Sequence, residues 1–118
     1  MYAYEIPGMR FSLPAGGAVA RHRFVSVSNE AAIQATAAAA VVGASMNEVT
    51  AEEAAADKRI VEIADGIVMV EAAGAITSGA VVYSDSAGKA TATEGTSEPA
   101  GIAITAATGA GDIIAVKI

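Results

Sequence analysis

The sequence predicts a mostly β fold, a small sandwich or barrel-like (jelly-roll-like) domain preceded by an extended N-terminal arm, and three observations predict it. Short runs of β-branched residues recur between clusters of Asn, Asp, Ser and Gly, the spacing of all-β sandwiches and barrels. The first fourteen residues sustain no periodicity of 2 or 3.6, yet they hold three of the five aromatics and two of the three prolines. The 118 residues suffice for one ordinary domain and not comfortably for two.

The arm is Met1–Pro14, with Pro7-Gly8 as a turn signal, and the domain is residues 15–118. A terminal segment of this kind is poorly ordered unless it docks. It either docks on a partner or folds back on its own domain. Its candidate contact residues are Tyr2, Tyr4, Ile6, Met9, Arg10 and Phe11, because aromatic and Arg side chains are favoured as interface anchors.

In the domain, Arg23 to Ser28 alternates, placing Phe24, Ser26 and Ser28 on one face and Arg23, Val25 and Val27 on the other. Asn29-Glu30 is a turn. Ala31 to Ala40 is alanine-dense, which favours helix by propensity, but no polar face recurs at helical spacing. Val41-Val42-Gly43 follows at once, and strand is the preferred reading. Thr50-Ala51-Glu52-Glu53 fits a capping box before one helical turn. Ile60–Ile63 and Ile67–Glu71 flank Ala64-Asp65-Gly66, and Asp-Gly between β-branched runs predicts a hairpin. Ala80–Ser84, a turn at Asp85–Gly88 and a return over Lys89–Thr93 form the next hairpin. Gly101–Ile104 and Ile113–Ile118 are the closing strands, joined through a turn at Thr108–Asp112. There is also an internal echo. Gly43-Ala44-Ser45 leading to Asp57–Ile63 parallels Gly101-Ile102-Ala103 leading to Asp112–Ile118. It is either one supersecondary unit used twice or the chance similarity of a low-diversity sequence.

Composition excludes several functions. Seven Lys+Arg against thirteen Asp+Glu give a net charge of −6, which argues against nucleic acid and against a membrane surface as partners. The absence of cysteine removes disulfides, thiolate catalysis and cysteine metal sites. The N-terminus shows no signal-peptide pattern, so synthesis in the cytoplasm is expected. More than half of the residues are apolar but mostly Ala, Val and Ile, so the core should be thin and association with neighbours a natural supplement.

No catalytic constellation emerges. His22, the single histidine, lies between two arginines with no nucleophile placed beside it, and a solvent-exposed side chain is expected. Glu52-Glu53-Asp57 reads as a solvated acidic face. Asp85–Gly88 lacks the alternating carboxylates and distal Glu of a calcium loop. Gly109-Ala110-Gly111 precedes a strand where a dinucleotide site needs a helix. Ser86-Ala87-Gly88-Lys89 matches Ser-x-x-Lys without its companion motifs, and Gly88-Lys89 lacks the upstream glycine of a P-loop. The expectation is a non-enzyme with no cofactor and no metal.

A series of segments in order resembles a family of small phage head proteins, the capsid cement or decoration proteins. They are Pro14–Ala20 with Arg23-Phe24-Val25, Val41–Ser45, Ala54–Asp57 with Ile60–Ile63, Gly66–Val70, Ser78–Ala90, and Gly101–Ala103 through Gly111–Ile118. Asp57 stands where a glycine often precedes the acid, and Ala80 replaces the acid that commonly follows Gly79. The resemblance implies a β-rich structural virion protein on the outer face of a tailed-phage capsid, stabilising the shell by bridging major capsid subunits. The implied partners are the major capsid protein and further copies of the chain, a trimer first and a dimer second. The alternatives are a virion-associated binding or adhesion module for carbohydrate or host surface, and an enzyme or enzyme inhibitor of unknown type, which a pocket containing His22 with two carboxylates would favour.

Overall fold

The computed structural model describes residues 5–37, 40–56, 60–94 and 98–118. Its elements are β1 (Ile6–Pro14), β2 (Phe24–Ser28), β3 (Ala31–Gln34), β4 (Gly43–Ser45), α1 (Ala51–Ala55), β5 (Ile60–Glu71), β6 (Val81–Ser84), β7 (Ala90–Thr91), β8 (Pro99–Ala103) and β9 (Ile113–Lys117). The fold is mostly β, as expected, and takes the form of a curled antiparallel sheet that makes a half-barrel.

β5 is its spine. Ala64 pairs with Arg10 of β1 and Ala44 of β4, and Ile67 pairs with Ile6 of β1 and Lys117 of β9. A strand residue has two neighbours only if they lie on opposite edges. So β1 runs along one edge of β5, while β4 and then β9 follow one another along the other. From β4 the sheet continues through β2 to β3, and from β9 through β8 and β6 to β7. The described part of the N-terminal arm is thus a strand docked on its own domain; Met1–Tyr4 lie outside the described residues.

These two branches are the same unit built twice. Phe24 pairs with Ala44 and Val25 with Gly43 in the first; Val81 pairs with Ile102 and Val82 with Gly101 in the second. Ser45 lies opposite Ile63, and Ala103 opposite Val116. Phe11 to Pro14 pair with Ile63 to Ile60, just as Val68 to Glu71 pair with Val116 to Ile113. Connections match as well. Parallel bridges join Ala15 to Ala32 and Ala72 to Ala90, and antiparallel bridges join Val19 to Val49 and Ile76 to Ala107. The left-handed residue before each second strand is also shared, His22 at φ 60° and Gly79 at φ 86°. The echo in the sequence is therefore a structural duplication. β5 belongs to both units, closing the first and opening the second. They differ where the first inserts α1 between β4 and β5 and the second has only the Thr108–Asp112 turn.

Why the sequence folds this way is clearest at the turns. Asn29 and Glu30 both take left-handed φ, 52° and 63°, the geometry of a two-residue hairpin between Ser28 and Ala31. Thr50 caps α1, accepting from Glu53 N while the Glu53 carboxylate accepts from Thr50 N, so the expected capping box forms. Asp85 accepts from Ala87 N and Lys89 N and closes the β6–β7 turn.

One expected turn is absent. Ala64-Asp65-Gly66 lies inside β5, which runs unbroken from Ile60 to Glu71. Gly66 has φ 91°, and a Cβ there would stand 2.3 Å from Gly8 N and 2.7 Å from Ile6 O. The register of β1 slips between Pro7 and Arg10, and Asp65 Oδ1 accepts from Met9 N at 2.7 Å. Asp-Gly serves here as one half of a cross-strand bulge. The alanine-dense segment begins as strand β3 and leaves the sheet after Gln34; Ala38 and Ala39 lie outside the described residues.

Two apolar cores result. The first unit encloses Val19, Val25, Val49, Val61 and Ile63, and Ala54 of α1 packs against them. The corresponding second-unit residues, Ile76, Val82, Ala107, Ile114 and Val116, form a core together with Phe24, Ala44 and Ala64 from the first unit's other face. Phe24 and Val25 are both fully buried because β2 lies between these cores. The inner face of the second unit therefore packs on the outer face of the first.

Candidate interaction surface

The seam between the units carries the main polar cluster. Arg23, just before β2, donates to Glu71 at the end of β5 at 3.2 Å and to Ala87 O at 3.2 Å. Lys89 Nζ lies 3.1 Å from the other Glu71 oxygen. Burial by itself would raise the Glu71 carboxyl, but the bonds from Lys89 and Arg23 outweigh it and hold it below the ordinary carboxylate range. The β6–β7 turn rests on β2 through Phe24 N donating to Gly88 O at 2.8 Å. These contacts fasten the two units together, and the Arg23 Nε stays buried without a hydrogen-bond partner among the described residues.

His22 departs from expectation. The residue is partly buried, and its Nδ1 is shut off from water without a hydrogen-bond partner among the described residues. Desolvation, with repulsion from Arg21 second, holds the imidazole below its ordinary 6.5. The cause is the left-handed turn, which draws the backbone inward: His22 N donates to Ser45 O and His22 O accepts from Glu71 N.

Two clefts among the described residues do not gather a reactive constellation. The larger, about 290 Å³, lies among Val19, Arg23, Gln34, Glu48 and Thr50. Gln34 there accepts from Ala20 N, Arg23 is bound to Glu71, and Thr50 caps α1. The smaller, about 140 Å³, is a surface notch formed by Arg10, Phe11, Ser12 and Glu62. Among the described residues no three His, Asp or Glu are grouped to hold a metal ion. Glu53 belongs to the capping box and Glu52 to the first turn of α1, and Asp57 lies outside the described residues.

The surface is where the chain has something to offer. Ile6 and Met9 are each 60% exposed, Arg10 is exposed and Phe11 is half-buried against the first core. Four of the six expected contact residues thus lie together on β1, and Tyr2 and Tyr4 lie outside the described residues. Sequence reading missed the continuation of this surface. Val81, Ile102, Lys117, Ile67 and Ile6 are directly opposite one another on successive strands β6, β8, β9, β5 and β1. Directly opposed residues share a face. The result is a transverse row, four aliphatic side chains and one lysine, with Val81 41% and Ile102 40% exposed. No local pattern announces it, because each strand contributes a single residue.

The described residues thus form a β scaffold with an aliphatic row at its surface and its main polar cluster engaged in joining the two units, the make-up of a structural protein. A family model described as phage cement protein matches residues 7–118. The chain belongs to the phage cement protein family and is a structural protein of the phage virion, associated with its capsid. Among solved structures, the head fiber gp8.5 N base of bacteriophage phi29 is similar, with a TM-score of 0.73 at 17% identity, covering 93% of this chain and 92% of that one. At that identity the likeness is one of fold. No curated protein matches the chain.

Proposed function

We propose that this protein seats on the outer surface of a tailed-phage capsid and stabilises the shell by bridging major capsid subunits, with β1 as its contact strand. The observation that carries the contact is the 60% exposure of both Ile6 and Met9 on a strand whose pairing is along β5. Family membership supplies the capsid. Large aliphatic side chains held at an outer strand of a rigid sheet suit a partner's groove, and the strand can be extended by a strand of the partner. Many identical contacts over a shell add avidity without any single contact being strong. Copies of the chain associate with one another on the shell, a trimer first and a dimer second.

Capsids lacking the protein, mixed with purified chain, provide the test. Ile6→Asp with Met9→Asp should lower capsid occupancy at least tenfold, about 1.4 kcal/mol, with the far-ultraviolet spectrum unchanged. Occupancy equal to wild type would remove β1 as the contact. Occupancy of the inner face in cryo-electron microscopy would remove the outer-surface reading.

A further inference from the structure

We propose that the outer edge of β1 is a strand-addition site, where an extended segment of the major capsid protein pairs with the backbone of Arg10 and Ser12. The proposal deepens the reading of β1 as the contact strand and rests on it.

The hydrogen bonds of β5 show which way the β1 backbone faces. Asn47 donates to Ile60 O and accepts from Glu62 N, and Met46 N donates to Glu62 O, so these β5 groups point toward the β4 side. Ala64, two residues on, points the same way and pairs with Ala44. Opposed residues of an antiparallel pair exchange both backbone bonds or neither. Ser12 and Arg10 stand opposite Glu62 and Ala64, so their N–H and C=O groups point away from β5. Among the described strands β1 pairs only with β5, and Arg10 and Ser12 are both exposed. Two donors and two acceptors thus lie on an open sheet edge.

The duplication shows what such an edge takes. The second-unit equivalents of Arg10 and Pro14 are Ile67 and Glu71. Chain from the first unit meets both: Ile6 pairs with Ile67, and His22 O accepts from Glu71 N at 2.9 Å. In the first unit the far end of the edge is closed. Pro14 has no N–H, and the chain after it joins β3 through the Ala15–Ala32 bridge. With Pro7 at the near end, the prolines confine pairing to a short window centred on Arg10 and Ser12.

Side chains define the occupant. Phe11 and Leu13 are half-buried against the first core. Across an added strand they form the non-hydrogen-bonded pairs, where side chains come closest, so the residues opposite them are apolar. On the other face an acidic residue opposite Arg10 completes the match. The occupant therefore alternates apolar and polar residues and carries an acid. A second copy's β1 contains no acid, and two chains of net charge −6 repel. Family membership puts a capsid beside the chain, and strand addition is an established mode of binding an extended segment.

Capsids lacking the protein provide the test. Ser12→Pro removes the outward N–H without removing a bond to β5, and should lower occupancy at least tenfold. Ser12→Ala keeps that N–H and should bind at least fivefold more tightly than Ser12→Pro. Hydrogen exchange at single-residue resolution reads the wild-type chain directly: the Arg10 and Ser12 amides should exchange at least tenfold more slowly on the capsid than in free protein. It decides alone if circular dichroism shows that Ser12→Pro does not fold. The edge is overturned, with β1 still the contact strand, if these amides gain no protection, or if a folded Ser12→Pro binds like wild type, while Ile6→Asp with Met9→Asp lowers occupancy. Equal losses for Ser12→Pro and Ser12→Ala would place the contact at the hydroxyl and overturn the pairing. Protection that rises with protein concentration in the absence of capsids would give the edge to a second copy and overturn the assigned partner. If Ile6→Asp with Met9→Asp binds like wild type, the contact-strand reading falls and the edge with it.

Discussion

Gly66 shows how one residue decides where the N-terminal strand goes. Asp65-Gly66 has the chemistry of a tight turn, and in isolation that is its most probable use. Tertiary pairing with β1 converts it to a bulge, which no local pattern distinguishes from a hairpin. Gly66→Ala adds a Cβ in the left-handed region that would contact the β1 backbone at 2.3 Å. Relief requires β1 to move away near Ile6–Gly8. The expected cost is about 2–4 kcal/mol, combining left-handed strain with the lost strand contacts. A denaturant midpoint checks the magnitude, and hydrogen exchange should show protection lost first around Met9 and Ile67. Equal protection there in both proteins would mean that β1 does not depend on this glycine. His22 is a second residue whose setting the sequence misstates. Two flanking arginines suggest solvent, but the turn places its ring partly inside.

At the scale of elements, the legible features were those set by neighbouring residues. The Thr50 capping box, the Asn29-Glu30 hairpin and the Asp85 turn depend on side chains within four positions of one another. The seam was not legible, because Arg23, Glu71 and Lys89 come from three distant segments, β5 and two turns. It also gives those elements a pH dependence. A carboxyl whose folded value lies below its unfolded one contributes stability above the unfolded value and loses it as pH falls through the folded one. For Glu71 the loss begins below about 4.5, its ordinary value. His22 acts over a different window. A base held below its ordinary 6.5 favours protonation of the unfolded chain, so stability falls as pH drops from 6.5 toward the folded value. Glu71→Gln should cost about 1–2 kcal/mol at pH 7, discounted for partial exposure. It should flatten the stability profile below pH 4.5 and leave the decline near pH 6 in place. Urea midpoints from pH 3 to 8 read both windows, and an unchanged slope at the acid end would show that the seam does not carry the Glu71 shift.

For the whole molecule, the duplication was visible only as an echo at its most regular part, the β4–β5 and β8–β9 pairs. The remaining equivalences lie in bridges and registers, where Phe24 stands for Val81 and His22 for Gly79, substitutions that erase the likeness in sequence while keeping the backbone. This scale also explains how a chain with a thin, small-residue core holds together. The second core draws Phe24, Ala44 and Ala64 from the first unit, and β5 runs through both, so neither unit can open alone. A direct comparison of equivalent positions tests that coupling. Phe24→Ala removes a fully buried ring from the layer between units and should cost about 3–5 kcal/mol. Val81→Ala removes a 41% exposed side chain at the same structural position and should cost less than about 1 kcal/mol, measured at low protein concentration to exclude self-association. Made in a Tyr2→Phe, Tyr4→Phe background so that Tyr83 of the second unit is the remaining tyrosine, both variants should unfold in one transition, with coincident curves from circular dichroism and from tyrosine fluorescence. A Phe24→Ala curve that splits, with Tyr83 keeping its wild-type midpoint, would show that the second unit stands without the first. The shared strand would then be a covalent link between two independent units.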